Sequence, residues 1–208
     1  MKVLGTVKKV SLGGVVAGAL VCVASFSLGG CLTDDKKNSD TVAVVVAVDS
    51  VKTKSVMVGA QANNDLGSFI DLDTYGVLKQ TAAEAASATV DLIFAYSGSA
   101  SSSAVYSPNA AKAGIAGGLP LDIATGLSTA NTTELKTLDA AKYEMVVTKA
   151  GLDSLYATGT VAANGRLLVS KGFVFGAKTT GGMVVALKIT DVTTSTTGQA
   201  TIQAKAKW

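Results

Sequence analysis

One segment near the C-terminus alternates large apolar side chains with small or polar ones, and this limits the possible folds more than any other feature. The segment is Val185-Ala186-Leu187-Lys188-Ile189-Thr190. A period of two places the two sets of side chains on opposite faces of a β-strand. A strand with one apolar and one more polar face is typical of an antiparallel sheet that is buried on one side. The segment therefore predicts antiparallel β-structure.

Similar apolar and β-branched runs predict strands along most of the chain. The runs cover 42–48, 55–60, 68–72, 75–78, 90–96, 104–107, 132–137 (as an edge strand), 167–169, 173–178, 183–192 and 201–205. Asp73-Thr74 and residues 193–198 are predicted hairpin turns. Short helices are predicted over 81–87, where Thr81 and Glu84 have capping-box spacing, over 139–147 and over 150–156. We expect one mainly β, antiparallel, sheet or sandwich-like domain over 42–208 with two or three short helices.

The first 30 residues have the composition of a secretory signal. Three lysines precede a long uncharged run that ends at Leu28-Gly29-Gly30-Cys31. A basic start, an apolar centre and small residues before a cut define such signals. The last four residues resemble a bacterial lipobox, which implies cleavage after Gly30 and lipidation of Cys31. Cys22 is a second candidate, but the preceding Val21 is bulky for a cleavage site, and an uncleaved membrane anchor is the alternative.

Cleavage at that point leaves a polar tether over 31–41 and an electrically balanced chain. The leader holds three of the 18 basic residues and none of the 15 acidic ones. The predicted partner is therefore the membrane, through the N-terminal lipid, and not nucleic acid. Asp34-Asp35 resemble the acidic part of a Bacteroidetes-type surface-export signal, so we expect an outer-membrane lipoprotein that can reach the cell surface.

The chain contains no histidine. Catalytic sites of the Ser–His–Asp and Cys–His types, and zinc sites of the HExxH type, are therefore excluded. We expect no enzyme, no catalytic residue, no metal and no cofactor. Asp71 and Asp73 begin like a calcium loop, but Tyr75 and Ala82 stand where ligands are required, which favours a hairpin turn. Asp91, inside an apolar run, is either a perturbed carboxylate in a pocket or a group on the outer face of the sheet that faces solvent or accepts backbone hydrogen bonds.

Five residues are weak candidates for lining a ligand pocket. Tyr96 and Tyr106 lie beside Ser/Gly-rich and Gly-rich segments, which favours an apolar pocket there with a few polar groups. Met57, Met145 and Met183 are thioether side chains that could ligate haem iron, line an apolar pocket or fill gaps in the core. The predicted ligand is small and apolar.

Several segments together resemble a group of Bacteroidetes surface lipoproteins related in pattern to the HmuY-like haemophore family. They are SVMVGAQANNDLGSFIDLDTYGV, ATVDLIFAYS, AVYSPNAA, NTTELKTLDAAKYEMV and GFVFGAKTTGGMVVALKITDV with TGQATIQAKAK. The resemblance implies a compact, mainly β fold anchored at the outer membrane. Characterised members bind haem through paired histidines or, in some relatives, methionines. The absent histidines prevent that ligand set from being carried over, and no methionine here maps onto a ligand position.

The sequence thus predicts a non-catalytic envelope lipoprotein that binds a small ligand or a partner. The alternative is a structural or adhesive surface protein without a small-molecule site. A binding protein should contain one well-formed pocket, whereas a structural protein should present an exposed sheet edge or apolar patch.

Overall fold

The computed structural model describes residues 49–114 and 121–208. Its strands are β1 (Lys52–Gly59), β2 (Phe69–Asp71), β3 (Gly76–Leu78), β4 (Leu92–Ser97), β5 (Ser102–Tyr106), β6 (Glu134–Thr137), β7 (Thr160–Val161), β8 (Arg166–Val169), β9 (Val174–Lys178), β10 (Val184–Thr193) and β11 (Gln199–Ala206). Its helices are α1 (Gln80–Ala85), α2 (Pro108–Ala113), α3 (Asp122–Thr125), α4 (Ala140–Met145) and α5 (Lys149–Ala157). Strand residues outnumber helical ones, so the predicted mainly β fold is confirmed.

The strands form two antiparallel sheets. The larger sheet has six strands in the order β1-β11-β10-β9-β6-β7, and the smaller has five in the order β3-β2-β4-β5-β8. The longest register joins β1 to β11, from Lys52 opposite Ala206 to Gly59 opposite Gln199. A bulge after Ile189 interrupts the pairing of β10 with β11. Bulges of this kind bend a strand and increase its twist.

The two sheets bury their facing sides against each other. Leu92 and Phe94 of β4 belong to one apolar cluster with Phe175 of β9 and Leu187 and Ile189 of β10, and all five are fully buried. These residues are spaced by two along their strands, as the alternating sequence pattern predicts. The main core therefore lies between the sheets, as in a sandwich.

Short helices cover the outer faces of both sheets. On the five-stranded sheet, Ile93 packs in a cluster with Ala111 of α2 and Ala124 of α3. On the six-stranded sheet, Ala186 packs in a cluster with Tyr143 of α4. The small side chain of Ala186 leaves room for the apolar side chains of α4 and α5 to pack against this face of β10.

Three details of the local predictions differ from the structure. The described residues contain five α-helices where two or three were predicted, and α2 and α3 are the additional ones. Helix α1 begins at Gln80 after Lys79, with no side-chain cap, so the predicted capping box at Thr81 is wrong. Strand β6 lies between β9 and the two-residue β7, so it is not the predicted edge strand.

Other local predictions are confirmed. Strands β2 and β3 form the hairpin expected around Asp73-Thr74. Helix α4 begins after Asp139, whose carboxylate accepts hydrogen bonds from the backbone N–H groups of Ala141 and Lys142. An N-terminal cap of this kind satisfies donors that the first turn leaves unpaired.

The predictions for the leader and tether lie outside the described residues. These predictions are the signal peptide over 1–30, cleavage after Gly30, lipidation of Cys31, the tether over 31–41 and the strand over 42–48. Among residues 49–114 and 121–208, no helix is long and apolar enough to cross a membrane.

Candidate functional site

A polar recess lies where the loop after β1, the start of β2 and the start of α1 meet. Its cavity volume is about 210 Å³. Most of the side chains around it are polar or small, and a few are apolar. The lining residues are Gln61, Asn63, Asn64, Leu66, Gly67, Ser68, Phe69, Lys79, Gln80, Thr81 and Ile123.

The loop that frames the polar recess is held in place by Asn63. Its Oδ1 accepts hydrogen bonds from the backbone N–H groups of Asp65, at 3.1 Å, and Leu66, at 3.0 Å. Its Nδ2 donates to the backbone carbonyl of Thr197 at 3.1 Å, across the gap to the β10–β11 loop. Asparagine is suited to this role because its short amide can bond the backbone on both sides. The recess is therefore pre-formed and does not depend on ligand to order its frame.

A glycine allows the closest approach between the two walls of the recess. A Cβ at Gly67 would lie 2.2 Å from the backbone carbonyl oxygen of Leu78. No side chain fits at that distance, and the obstacle is backbone that cannot rotate away. Gly67 thus lets the loop before β2 lie directly against the segment that leads into α1.

One side-chain atom of the residues around the recess is buried without a hydrogen-bond partner among the described residues. Gln80 donates from Nε2 to Glu84 Oε1 at 2.5 Å and to the Ile123 carbonyl at 2.9 Å. These bonds fix the amide, and they leave its buried Oε1 without a donor. The Ser68 side chain is 7% exposed, and its hydroxyl oxygen is not among the buried atoms without a partner. A buried polar atom without a partner costs roughly 1–3 kcal/mol, so Gln80 Oε1 is a destabilising feature of this region.

Charges of both signs lie at the border of the recess. Lys79 donates from Nζ to the backbone carbonyl of Asn64 at 3.1 Å, which holds the ammonium at the rim. None of the described lining residues is acidic, but the Glu84 carboxylate accepts a hydrogen bond from the lining residue Gln80 at 2.5 Å. These charges do not select one sign of ligand.

A second polar feature is a cluster of three carboxylates at the β2–β3 turn. Oxygens of Asp71, Asp73 and Asp91 lie within 4.8 Å of one another. Asp91 is 4% exposed and accepts a hydrogen bond from the Leu72 N–H at 2.9 Å. Burial raises the pKa of Asp91 to about 6; the Leu72 bond opposes this, Asp73 and Asp71 add to it by repulsion, and Asn131 opposes it.

The acidic cluster is explained by the hairpin turn. Asp71 accepts from the backbone N–H groups of Asp73 and Thr74 at 2.9 and 3.2 Å, which closes the turn. Calcium takes about six to eight oxygen ligands, whereas three side chains here bring one oxygen each into close range. Asp91 is therefore both a perturbed carboxylate and an acceptor of a backbone hydrogen bond.

A shallow apolar concavity lies between α4 and α5 on the other side of the molecule. Its volume is about 260 Å³, and Met145, Val146 and Leu155 contribute its apolar surface. Met145 is 70% exposed and the nearby Val147 is 66% exposed.

The structure does not bring the two candidate tyrosines together. Tyr96 is half-buried and packs against the core between the sheets. Tyr106 is buried in the cluster beneath α1, α2 and α3, on the opposite face of the same sheet. Adjacent strands β4 and β5 carry them, but a sheet separates their rings.

The three candidate methionines lie on separate elements. Met57 is half-exposed on β1, Met145 ends α4, and Met183 packs against the main core just before β10. Of the three, Met145 lines a concavity.

The residues of the polar recess were not singled out from the sequence. The one local signal is the run Gln61-Ala62-Asn63-Asn64-Asp65, in which amide side chains concentrate directly after a strand. Lys79, Gln80 and Ile123 come from distant positions that the fold brings to the same place.

Comparisons with known proteins found little similarity to this chain. No protein-family model and no curated protein matches it. One solved structure with a similar arrangement is a DUF4466 family protein from Parabacteroides merdae, with 14% identity and a TM-score of 0.48. The match covers 77% of this chain and 54% of that one, so the chain spans about half the length of that protein. We draw no functional argument from so distant a likeness.

Proposed function

We propose that this chain is a non-catalytic lipoprotein of the cell envelope that binds a small ligand. The observation that carries the binding part is the polar recess, a concave surface lined by several polar side chains. Such concave sites with a few convergent polar groups are the usual form of small-molecule sites. The ligand is polar, which differs from the apolar ligand that the sequence favoured.

The envelope part of the proposal rests on the N-terminal sequence. The lipobox-like Leu28-Gly29-Gly30-Cys31 supports lipidation of Cys31, and the following polar residues 31–41 support a tether. A bacterial lipoprotein carries several acyl chains, and two or more chains give stable anchoring.

Fatty-acid labelling of the full chain in cells tests the anchor. Wild type should incorporate an alkyne-tagged fatty acid and fractionate with membranes, whereas Cys31→Ser should lose the label and retain the leader. Cys22→Ser is the matched control and should be labelled normally. Labelling of Cys31→Ser, or its absence from wild type, would overturn the lipoprotein assignment.

Native mass spectrometry of the full chain, purified in detergent from its membranes, tests ligand binding. A retained small adduct that survives gentle ionisation and is lost on mild unfolding supports the proposal. A bare mass after incubation with an extract of envelope small molecules contradicts it.

A structural or adhesive surface protein is the second candidate, and a different feature favours it. Strand β1 is paired on one side only among the described residues, and Lys52 to Ser55 are exposed along it. Sheet edges of this kind can pair with another chain, although lysines such as Lys52 and Lys54 discourage it. Concentration-dependent assembly of the full chain in sedimentation experiments, abolished by a proline at Ser55, would favour this candidate.

A further inference from the structure

The two most exposed of the large apolar side chains in the described part of the chain lie two residues apart. Met145 is 70% exposed and Val147 is 66% exposed, whereas the next, Val161, is 54% exposed. Met145 also lines the concavity between α4 and α5, together with Leu155. Large apolar groups that are kept together in water mark a contact with another protein or with a membrane. We call Met145, Val147 and this concavity the α4–α5 apolar surface.

Hydrogen bonds of the backbone hold these side chains out in the solvent. The Val147 carbonyl accepts from the N–H of Val51 at 3.1 Å, next to the start of β1. Lys205 of β11 donates from Nζ to the Val146 carbonyl at 3.2 Å, just after the end of α4. Because this segment is bonded to two strands, Met145 and Val147 cannot turn into the core unless these bonds break. Their exposure is therefore part of the fold.

The α4–α5 apolar surface lies where the chain enters the described domain. The carbonyl of Asp49, the first described residue, accepts from the N–H of Lys149 at 2.8 Å, and Ser50 forms an antiparallel bridge with Thr148. The proposed lipid attachment, Cys31, precedes Asp49 by 18 positions. A flexible linker of about that length has an average end-to-end distance of about 20–25 Å. Lipidation of Cys31 would therefore keep this surface within reach of a bilayer.

The charges beside the α4–α5 apolar surface suit the headgroup region of a bilayer. Three nearby carboxylates are each paired with a lysine, namely Asp49 with Lys207, Glu144 with Lys188 and Asp153 with Lys149. Lys142 also lines the concavity, is exposed and makes no ion pair with a described residue. Lysines at the border of an apolar surface can enter a bilayer interface, because their long stems reach back to the headgroups.

We propose that the α4–α5 apolar surface docks on the phospholipid surface that holds the N-terminal lipid, with Met145 and Val147 inserted among the headgroups. This inference rests on the proposed lipidation of Cys31 and adds which face of the domain meets the membrane. Lys52 and Gly59 are the two ends of β1, about 23 Å apart. The loop of the polar recess follows Gly59, so docking at the Lys52 end leaves the recess away from the bilayer.

Spin labels on the lipidated full chain, in vesicles of phosphatidylethanolamine and phosphatidylglycerol, test the proposal. Met145→Cys or Val147→Cys, each in a Cys22→Ser background, carries the label, and its collisions with lipid-soluble oxygen are compared with those with a water-soluble nickel chelate. We expect both labels to collide mainly with oxygen. Met57→Cys is the matched control, because Met57 is an exposed methionine about 20 Å along the strand direction from Val51. Its label should collide mainly with the nickel chelate.

A second measurement tests the two apolar side chains themselves. The label is placed at Ala150, an exposed residue of α5. Met145→Ser combined with Val147→Ser should weaken docking about 10- to 100-fold, because two apolar side chains no longer enter the bilayer, and the label should shift towards the nickel chelate. Met57→Ser combined with Val161→Ser removes the same kinds of side chain elsewhere and should leave the label unchanged. A thermal melt of each variant checks that it is folded.

The remaining outcomes overturn the proposal. Labels at 145 and 147 that collide mainly with the nickel chelate on vesicles show that the surface stays in water. Labels shielded from both reagents, in detergent as well as on vesicles, show that protein covers the surface, either another part of the chain or a second copy. If fatty-acid labelling of Cys31 succeeds in these cases, the lipoprotein assignment stands and only the docking fails. If that labelling also fails, both proposals fail.

Discussion

The side chain of Gln61 pairs with the backbone of Tyr96 in the way a neighbouring strand would. Gln61 Nε2 donates to the Tyr96 carbonyl at 2.9 Å, and Gln61 Oε1 accepts from the Tyr96 N–H at 2.7 Å. This pair ties the loop of the polar recess to β4, which is a central strand of the smaller sheet. Tyr96, chosen from the sequence for its ring, thus supports the recess through its backbone.

Replacing Gln61 by Met should destabilise the protein by about 1–3 kcal/mol. The variant loses two hydrogen bonds and leaves the N–H and C=O of Tyr96 without partners, each bond contributing about 0.5–1.5 kcal/mol. Urea unfolding measures the change. Gln199→Met is the matched control, because Gln199 is exposed and makes no side-chain hydrogen bond to a described residue. Equal stability of the two variants would contradict the anchoring role.

Asp91 should make the protein less stable as the pH rises from about 4 to about 6. Burial raises its pKa from 3.8 in the unfolded chain to about 6 in the fold, so the folded state binds more protons in that window. Stability from this group is present below the lower value and is lost as the pH rises through the higher one. Urea unfolding across this range measures the slope.

Asp91→Asn should flatten that slope and raise stability at neutral pH by about 1–2 kcal/mol. The amide oxygen can still accept from Leu72, and the cost of burying a charge is gone. Asp73→Asn, at an exposed position, should give a smaller gain. A loss of stability in Asp91→Asn at neutral pH would instead show that the negative charge itself is needed.

Three buried tyrosines should make the fold sensitive to alkali. Tyr75, Tyr143 and Tyr156 all have a pKa raised well above its ordinary value by burial. The unfolded chain ionises them above about pH 10 while the fold keeps them neutral, so stability falls by about 1.4 kcal/mol per pH unit for each. Burial lowers the pKa of Lys205, and this opposes the fall.

Phenolate absorbance measured alongside unfolding tests this sensitivity. Tyr156→Phe removes one ionising group and its hydrogen bond to Glu134 Oε1, at 2.8 Å, so it should lower stability at neutral pH and make the alkaline fall shallower. Phenolate absorbance from all tyrosines rising well before unfolding would contradict the buried assignments.

Gly67→Ala should destabilise the protein by about 1–3 kcal/mol or more. The added methyl would clash with the Leu78 carbonyl oxygen, so the backbone segments at residues 67 and 78 would have to move apart. Gly98→Ala is the matched control, since no atom lies within 4 Å of the added carbon, and it should be neutral or slightly stabilising. Thermal unfolding of both variants compares them, and a neutral Gly67→Ala would show that the recess walls can separate freely.

Most of the strands could be predicted from the sequence because their signals are local. The alternation at 185–190 and the β-branched runs each lie within one strand, so a short window of sequence is enough to recognise each strand. Helices α2 and α3 could not be predicted in the same way. They have six and four residues, and Pro108, which ends a strand pattern, stands at the first turn of α2, where proline is well tolerated.

The residues of the polar recess could not be predicted from local sequence patterns for a related reason. Gln61, Gln80 and Ile123 are separated by 19 and 43 positions, and each alone is an ordinary polar or apolar residue. Their proximity follows from the pairing of β2 with β3 and from the packing of α3 near α1. Tyr96 and Tyr106 were expected to line one pocket, and the structure separates them. Side chains on the two strands of a hairpin share a face only if their register positions match, and these two do not match.

The pairing of β1 with β11 has a consequence for how the protein acquires its structure. The first and last described strands are neighbours, so β1 has no partner in the six-stranded sheet until residues 199–206 have been made. Pairings between such distant segments are slow to form, since the long intervening loop must be closed first. The six-stranded sheet therefore closes late, and a chain that ended before residue 199 would leave β1 with no strand to pair with in that sheet.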